Sequence, residues 1–72
     1  MIQQLLQALI RSGLDKYVKK VGNKYIELTN SGAGLCQSQN NRNYFENTAK
    51  SVSLSIQWDT SSQYYYGRFS VK

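Results

Sequence analysis

The chain has 72 residues, 40% of them hydrophobic and 12% aromatic, with no proline; this suits one small domain spanning 1–72 with a thin core, and is too little for a two-lobed catalytic architecture. Nine Lys and Arg against four Asp and Glu give a net charge of +5 and an isoelectric point near 9.6, a field that favours polyanionic partners. Histidine is absent and cysteine occurs once, at Cys36, which removes the commonest general base, the commonest neutral metal ligand and any intrachain disulfide.

From the N-terminus, apolar residues fall at Ile2, Leu5, Leu6, Leu9, Ile10, Leu14, Tyr17, Val18 and Val21, the i, i+3, i+4, i+7 spacing of an amphipathic helix. Gln3, Gln4, Gln7, Arg11, Ser12, Asp15, Lys16, Lys19 and Lys20 take the opposite face. The spacing predicts one helix over residues 2–21, closed by Gly22-Asn23 and carrying lysines in its last turns, where they complement the helix dipole. A competing reading stops the helix at Ser12-Gly13 and makes Lys16 to Val21 a strand, joined through the Gly22-Asn23 turn to the next one. Its alternation is poor, because Lys16, Val18 and Lys20 would share a face, and the long helix is preferred.

Residues 24–29 alternate, with Ile26 and Leu28 on one side and Tyr25 and Glu27 on the other, and end in the loop-forming run Asn30 to Gly34. Leu35 to Gln39 is a further candidate strand, and Asn43 to Glu46 has the spacing of a capping box that could open a short helix through Ala49. The cleanest alternation is over 51–58, with Val52, Leu54, Ile56 and Trp58 on one face and serines and Gln57 on the other. Asp59 to Ser62 makes a turn, and 63–71 returns as a hairpin partner with Tyr65, Phe69 and Val71 inward and Tyr64, Tyr66, Arg68 and Ser70 outward. The fold expected is α+β: an N-terminal amphipathic helix packed on an antiparallel sheet of three to four strands (24–29, 35–39, 51–58 and 63–71). Its core would hold Ile2, Leu6, Leu9, Ile10, Leu14, Val18, Ile26, Leu28, Val52, Leu54, Ile56, Trp58, Phe69 and Val71.

Two surfaces are candidates for binding. Arg11, Lys16, Lys19, Lys20 and Lys24 against Asp15 concentrate a charge of +4 within residues 11–24, a stripe suited to phosphate contacts on DNA or RNA; a solvated helix face would carry the same charges. Tyr64, Tyr66 and Arg68, with Tyr25 in reach, would form an outer sheet face able to stack bases or to bind a protein; ordinary cross-strand packing accounts for them equally well. Ser31 to Gly34 lacks the Gly-Lys-Ser/Thr of a phosphate-binding loop. Cys36 has neither a histidine nor a second thiol beside it in sequence, and reads as a small packed residue. Asp15, Glu27, Glu46 and Asp59 show no acid–base spacing.

No family is recognised. A helix that carries basic charge, followed by a small sheet, resembles small double-stranded-RNA-binding and toxin-like folds in outline, without matching a motif of either, and the histidine of many such toxins is missing. The expectation is a small basic non-enzymatic module, without cofactor or metal, that binds nucleic acid through the Lys/Arg stripe. The alternative is a small accessory or inhibitory protein of viral or plasmid type that binds a protein partner, or itself as a homo-oligomer, through the Tyr/Arg face. A histidine-independent nuclease is the residual enzymatic reading. The N-terminus lacks a basic leader and a continuous apolar run, no segment reaches the ~20 apolar residues that span a bilayer, and a lone cysteine suits a reducing compartment, so a cytoplasmic location is expected, the host cytoplasm if the source is viral.

Overall fold

A computed structural model describes all 72 residues. Helix α1 (Ile2–Arg11) leads through a single 3-10 turn (Asp15–Tyr17) into strands β1 (Val18–Val21) and β2 (Tyr25–Leu28). Helices α2 (Asn30–Leu35) and α3 (Gln39–Lys50) follow, and then strands β3 (Ile56–Trp58) and β4 (Arg68–Val71). The four strands form one antiparallel sheet in the order β1-β2-β4-β3, and the fold is α+β.

The helix expected over residues 2–21 ends at Arg11. Gly13 takes a left-handed conformation (φ 75°), its N–H donates to the Ile10 carbonyl at 3.1 Å, and the Leu14 N–H donates back to Leu9 at 2.9 Å. This pairing closes a helix around a left-handed residue, and glycine adopts that backbone without a Cβ clash. The apolar spacing beyond it belongs to a strand with an extra residue. Val18 pairs with Leu28 and Lys20 with Glu27, so Lys19 is inserted as a β-bulge. Val18 and Val21, opposite Leu28 and Ile26, therefore both pack against the core, while Lys19 and Lys20 are both exposed.

Other boundaries move for related reasons. The range 35–39 is not a strand: Thr29 caps α2 by accepting the Gly32 N–H at 3.1 Å, and the chain passes from α2 straight into α3. Asn43 lies inside α3, so it opens no helix. The strand expected at 51–58 keeps only Ile56–Trp58, because α3 runs to Lys50 and closes through Ser53 (φ 61°), whose N–H donates to Lys50 while that of Leu54 donates to Ala49, both at 2.9 Å. The strand expected at 63–71 keeps only Arg68–Val71. Before it, Tyr65 and Tyr66 are left-handed (φ 38° and 70°), which folds residues 59–67 into a tight turn instead of continuing the alternation.

The core lies between the sheet and α1 and α3. Leu5, Leu9, Ile26, Cys36, Phe45 and Phe69 are its largest fully buried side chains. Phe45 is at its centre, with ring centroids 6.4 Å from Tyr17, 6.1 Å from Trp58 and 6.0 Å from Phe69, the tilted and edge-on distances at which aromatic pairs attract. Ile10, expected in the core, is 45% exposed, because α1 ends one residue later and its buried stripe is Ile2, Leu5, Ala8 and Leu9.

The left-handed stop at Gly13 makes a paired prediction. No atom lies within 4 Å of a Cβ built at Gly13 or at Gly34, and only Gly13 has positive φ. Gly13→Ala should cost about 1–2 kcal/mol through backbone strain alone, whereas Gly34→Ala, within α2, should be neutral or stabilise by up to about 1 kcal/mol. Urea unfolding of the two variants measures both; equal effects would contradict the assignment.

Candidate nucleic-acid interface on the outer sheet face

The helices cover one side of the sheet, and the other is left to polar and aromatic side chains. Across the strands the pairing builds two rungs on this outer side. Glu27 opposes Lys20 on β1 and Arg68 on β4, and the Asp59 N–H donates to the Arg68 carbonyl at 2.9 Å, which extends this rung to the end of β3 as an alternation of charge. In the second rung Ser70 stands between Tyr25 and Gln57. Opposite charges facing one another across strands stabilise a sheet surface, and Lys19 adds an ion pair to Glu27 at 3.7 Å.

Arg68 organises the face. Its Nη2 and Nε donate to Asp59 Oδ2 at 2.7 and 3.1 Å, and its guanidinium lies 4.0 Å from the Tyr64 ring centroid and 5.1 Å from that of Tyr25, within cation–π range. The Tyr25 ring lies directly over Gly22, where a Cβ would collide with it, so the hairpin turn itself holds the tyrosine towards the arginine. Asp59 is fixed in turn by the Ser61 N–H, which donates to its Oδ1 at 2.9 Å. Hydrogen bonds from Ser61 and then from Arg68 hold the Asp59 pKa down at about 2.

The sequence-predicted residues divide accordingly. Lys19, Lys20, Lys24, Tyr25, Tyr64 and Arg68 share or border the outer face, where a cleft of about 380 Å³ is lined by Lys24, Tyr25, Gln57 and Arg68 among others, and a second of about 280 Å³ by Lys19, Glu27 and Tyr64. Arg11 is at the end of α1, and Lys16 lies over the Tyr17 ring at 5.5 Å; the stripe expected along one helix does not exist, because the helix carrying it stops at Arg11. Tyr66 is not on the outer face. Its left-handed backbone turns the ring to the helical side, where it packs on Trp58 at 6.1 Å and receives the Arg42 guanidinium at 4.0 Å.

Asp59 is the member of the site that sequence reasoning missed. The signal was present in Asp59-Thr60-Ser61, since an aspartate at the start of a turn commonly accepts the N–H two residues on. Cys36 is buried, and burial raises its thiol to about 11. No three acidic or thiol side chains gather as a metal site, and no helix is long and apolar enough to cross a membrane. Comparison with protein-family models, with curated proteins and with solved structures finds no match to this chain.

The depressed Asp59 pKa fixes the sign of an acid response. A carboxylate held below its ordinary 3.8 contributes stability that is fully present above that value and is lost as pH falls through about 2. Thermal unfolding followed from about pH 7 to about pH 2 should show the wild-type chain losing stability over the acid end of this range more steeply than Asp59→Asn, which lacks the titrating group. Parallel profiles would contradict the Asp59–Arg68 arrangement.

Proposed function

We propose that this chain is a small, non-enzymatic intracellular binding module that holds single-stranded nucleic acid across its outer sheet face. The observation that carries the reading is the convergence of Lys19, Lys20, Lys24, Tyr25, Tyr64 and Arg68 on a sheet surface that no helix covers. Aromatic rings on such a surface accept unstacked bases, and lysines at its border meet phosphates. Lys20 and Lys24 have no carboxylate within ion-pair distance, so they are the cations that a polyanion would neutralise. Arg68, engaged by Asp59, acts as the support that keeps Tyr25 and Tyr64 in place.

Several observations support a non-enzymatic role. The only thiol is buried, and three of the four carboxylates already have partners: Glu27 has Lys19, Glu46 accepts the Trp58 indole N–H at 2.7 Å, and Asp59 has Arg68. A carboxylate serves as general acid or base when it is free to meet a substrate proton, and of the four only Asp15 has no partner.

The test is a fluorescence-anisotropy titration of a labelled oligothymidine, and of a duplex of equal length, across a salt series. The single strand should bind more tightly, and its affinity should fall steeply with salt. Charge reversal at both Lys20 and Lys24 should flatten the log–log salt slope by about 1.4, the counterion term for two phosphates on a single strand. Reversal at Arg11 and Lys16 should change the slope less, and Tyr64→Ala should weaken binding by about 1–3 kcal/mol. No binding at low salt, or equal effects of the two charge-reversed pairs, would refute the reading.

A further inference from the structure

The two edges of the sheet are treated differently. The β1 edge is bulged at Lys19 and presents Lys19 and Lys20, both devices that keep another strand from pairing there. The β3 edge has neither. It reads Ile56-Gln57-Trp58 and pairs in regular register with β4 alone. The Lys72 N–H donates to the Ser55 carbonyl at 3.0 Å and the Asp59 N–H to the Arg68 carbonyl at 2.9 Å. By the alternation of an antiparallel ladder, Gln57 also turns its backbone groups to β4, which leaves the N–H and C=O of Ile56 and Trp58 on the open side.

Beside that open edge runs the largest groove of the molecule, about 440 Å³, between β3 and the face of α3 that carries Arg42, Glu46 and Lys50, with Lys72 at its border. Cations outnumber anions along it, Arg42, Lys50 and Lys72 against Glu46. Arg42 is held in place by donating to the carbonyls of Cys36 at 2.7 Å and Gln37 at 3.2 Å. Glu46 is occupied by the Trp58 indole at 2.7 Å, and neither Lys50 nor Lys72 has an ion-pair partner. Arg42 and Lys50 are about two turns apart on α3, ~12 Å along the axis, roughly the length of four residues of an extended strand.

We propose that the β3 edge is a docking site for an extended acidic segment of a protein partner, added to the sheet as a fifth strand. Its backbone pairs with Ile56 and Trp58, and acidic side chains at alternate positions, those turned to the helical side of the sheet, meet Arg42 and Lys50. Strand addition of this kind takes affinity from main-chain hydrogen bonds and specificity from alternate side chains. A second copy of the chain fits poorly, because two β3 edges brought together would oppose the same cations. A nucleic acid lacks the peptide groups that complete the ladder. The site is separate from the outer face and does not depend on the function proposed for that face.

The probe is an eight-residue peptide of alternating Glu and Val, with a Lys–Val peptide of equal length as control, added to isotopically labelled full-length protein. At saturation the acidic peptide should slow amide hydrogen exchange at Ile56 and Trp58 at least tenfold and leave β1 unchanged. Methylating the peptide nitrogens that face β3 should abolish binding, and methylating the alternate set should not. Charge reversal at Lys50, which is exposed, should weaken binding about tenfold, with an unchanged circular-dichroism spectrum as the check on folding. Absence of binding at millimolar peptide, equal binding of the Lys–Val peptide, or affinity unaltered by charge reversal would overturn the proposal. So would protection of Ile56 and Trp58 by an oligonucleotide, or by raising the protein concentration without peptide.

Discussion

Lys19 and Lys20 stand together opposite Glu27, two residues against one, and the distribution of charge over the molecule follows from that extra residue. In a regular strand Val18 and Val21 would point to opposite faces, because side chains alternate with a period of two. One of them would then be exposed to solvent and one lysine would enter the core, where an unpaired charge is costly. The bulge turns both valines inward and both lysines outward. It also bends the edge and keeps β1 from recruiting a further strand.

The inner side of the sheet is organised by the rings around Phe45. Tyr17 reaches it from the turn before β1, Trp58 from β3 and Phe69 from β4, so a single side chain of α3 touches the connections that fix the sheet to the helices. The outer side is organised by Arg68 and Asp59. The two sides of four short strands thus differ: apolar burial on one, and paired charge with partly exposed tyrosines on the other. Both major helices end in the same way, through a left-handed residue at Gly13 or Ser53, and each closure sends the chain from a helix towards the sheet within a few residues.

Much of this was legible in the sequence. The α+β class, the α1 start, β2 with Ile26 and Leu28 inward, and the inward set Ile56, Trp58, Phe69 and Val71 all follow from period and composition. The long helix was misread because valines three residues apart satisfy a helical period as well as a bulged strand does. Gly13 was the discriminating residue, and its left-handed conformation is a backbone property that residue type only permits. The alternation over 51–58 was genuine as a pattern, but its first half is the closure of α3, a helix whose Asn- and Gln-rich sequence gives little apolar period to read. The Tyr64–Tyr66 triplet was assigned by simple alternation, and two consecutive left-handed tyrosines, a conformation uncommon for bulky side chains, moved Tyr66 to the other side. Cross-strand register brings Tyr25 near Arg68, and the turn before β4 brings Tyr64 to the same guanidinium, whereas Arg11 and Lys16 depended on a helix that ends before it could align them.

The most direct measurement is the pattern of nuclear Overhauser effects along residues 12–21 in solution. The bulged strand predicts strong sequential Hα–HN contacts from Val18 to Val21, cross-strand contacts that pair Lys20 with Glu27, and methyl contacts from both Val18 and Val21 to the buried side chains of Leu28 and Ile26. A continuous run of HN–HN contacts through Gly13 to Val21, with Val18 contacting the core and no cross-strand partner for Lys20, would mean a single long helix and would contradict the arrangement of both faces of the sheet.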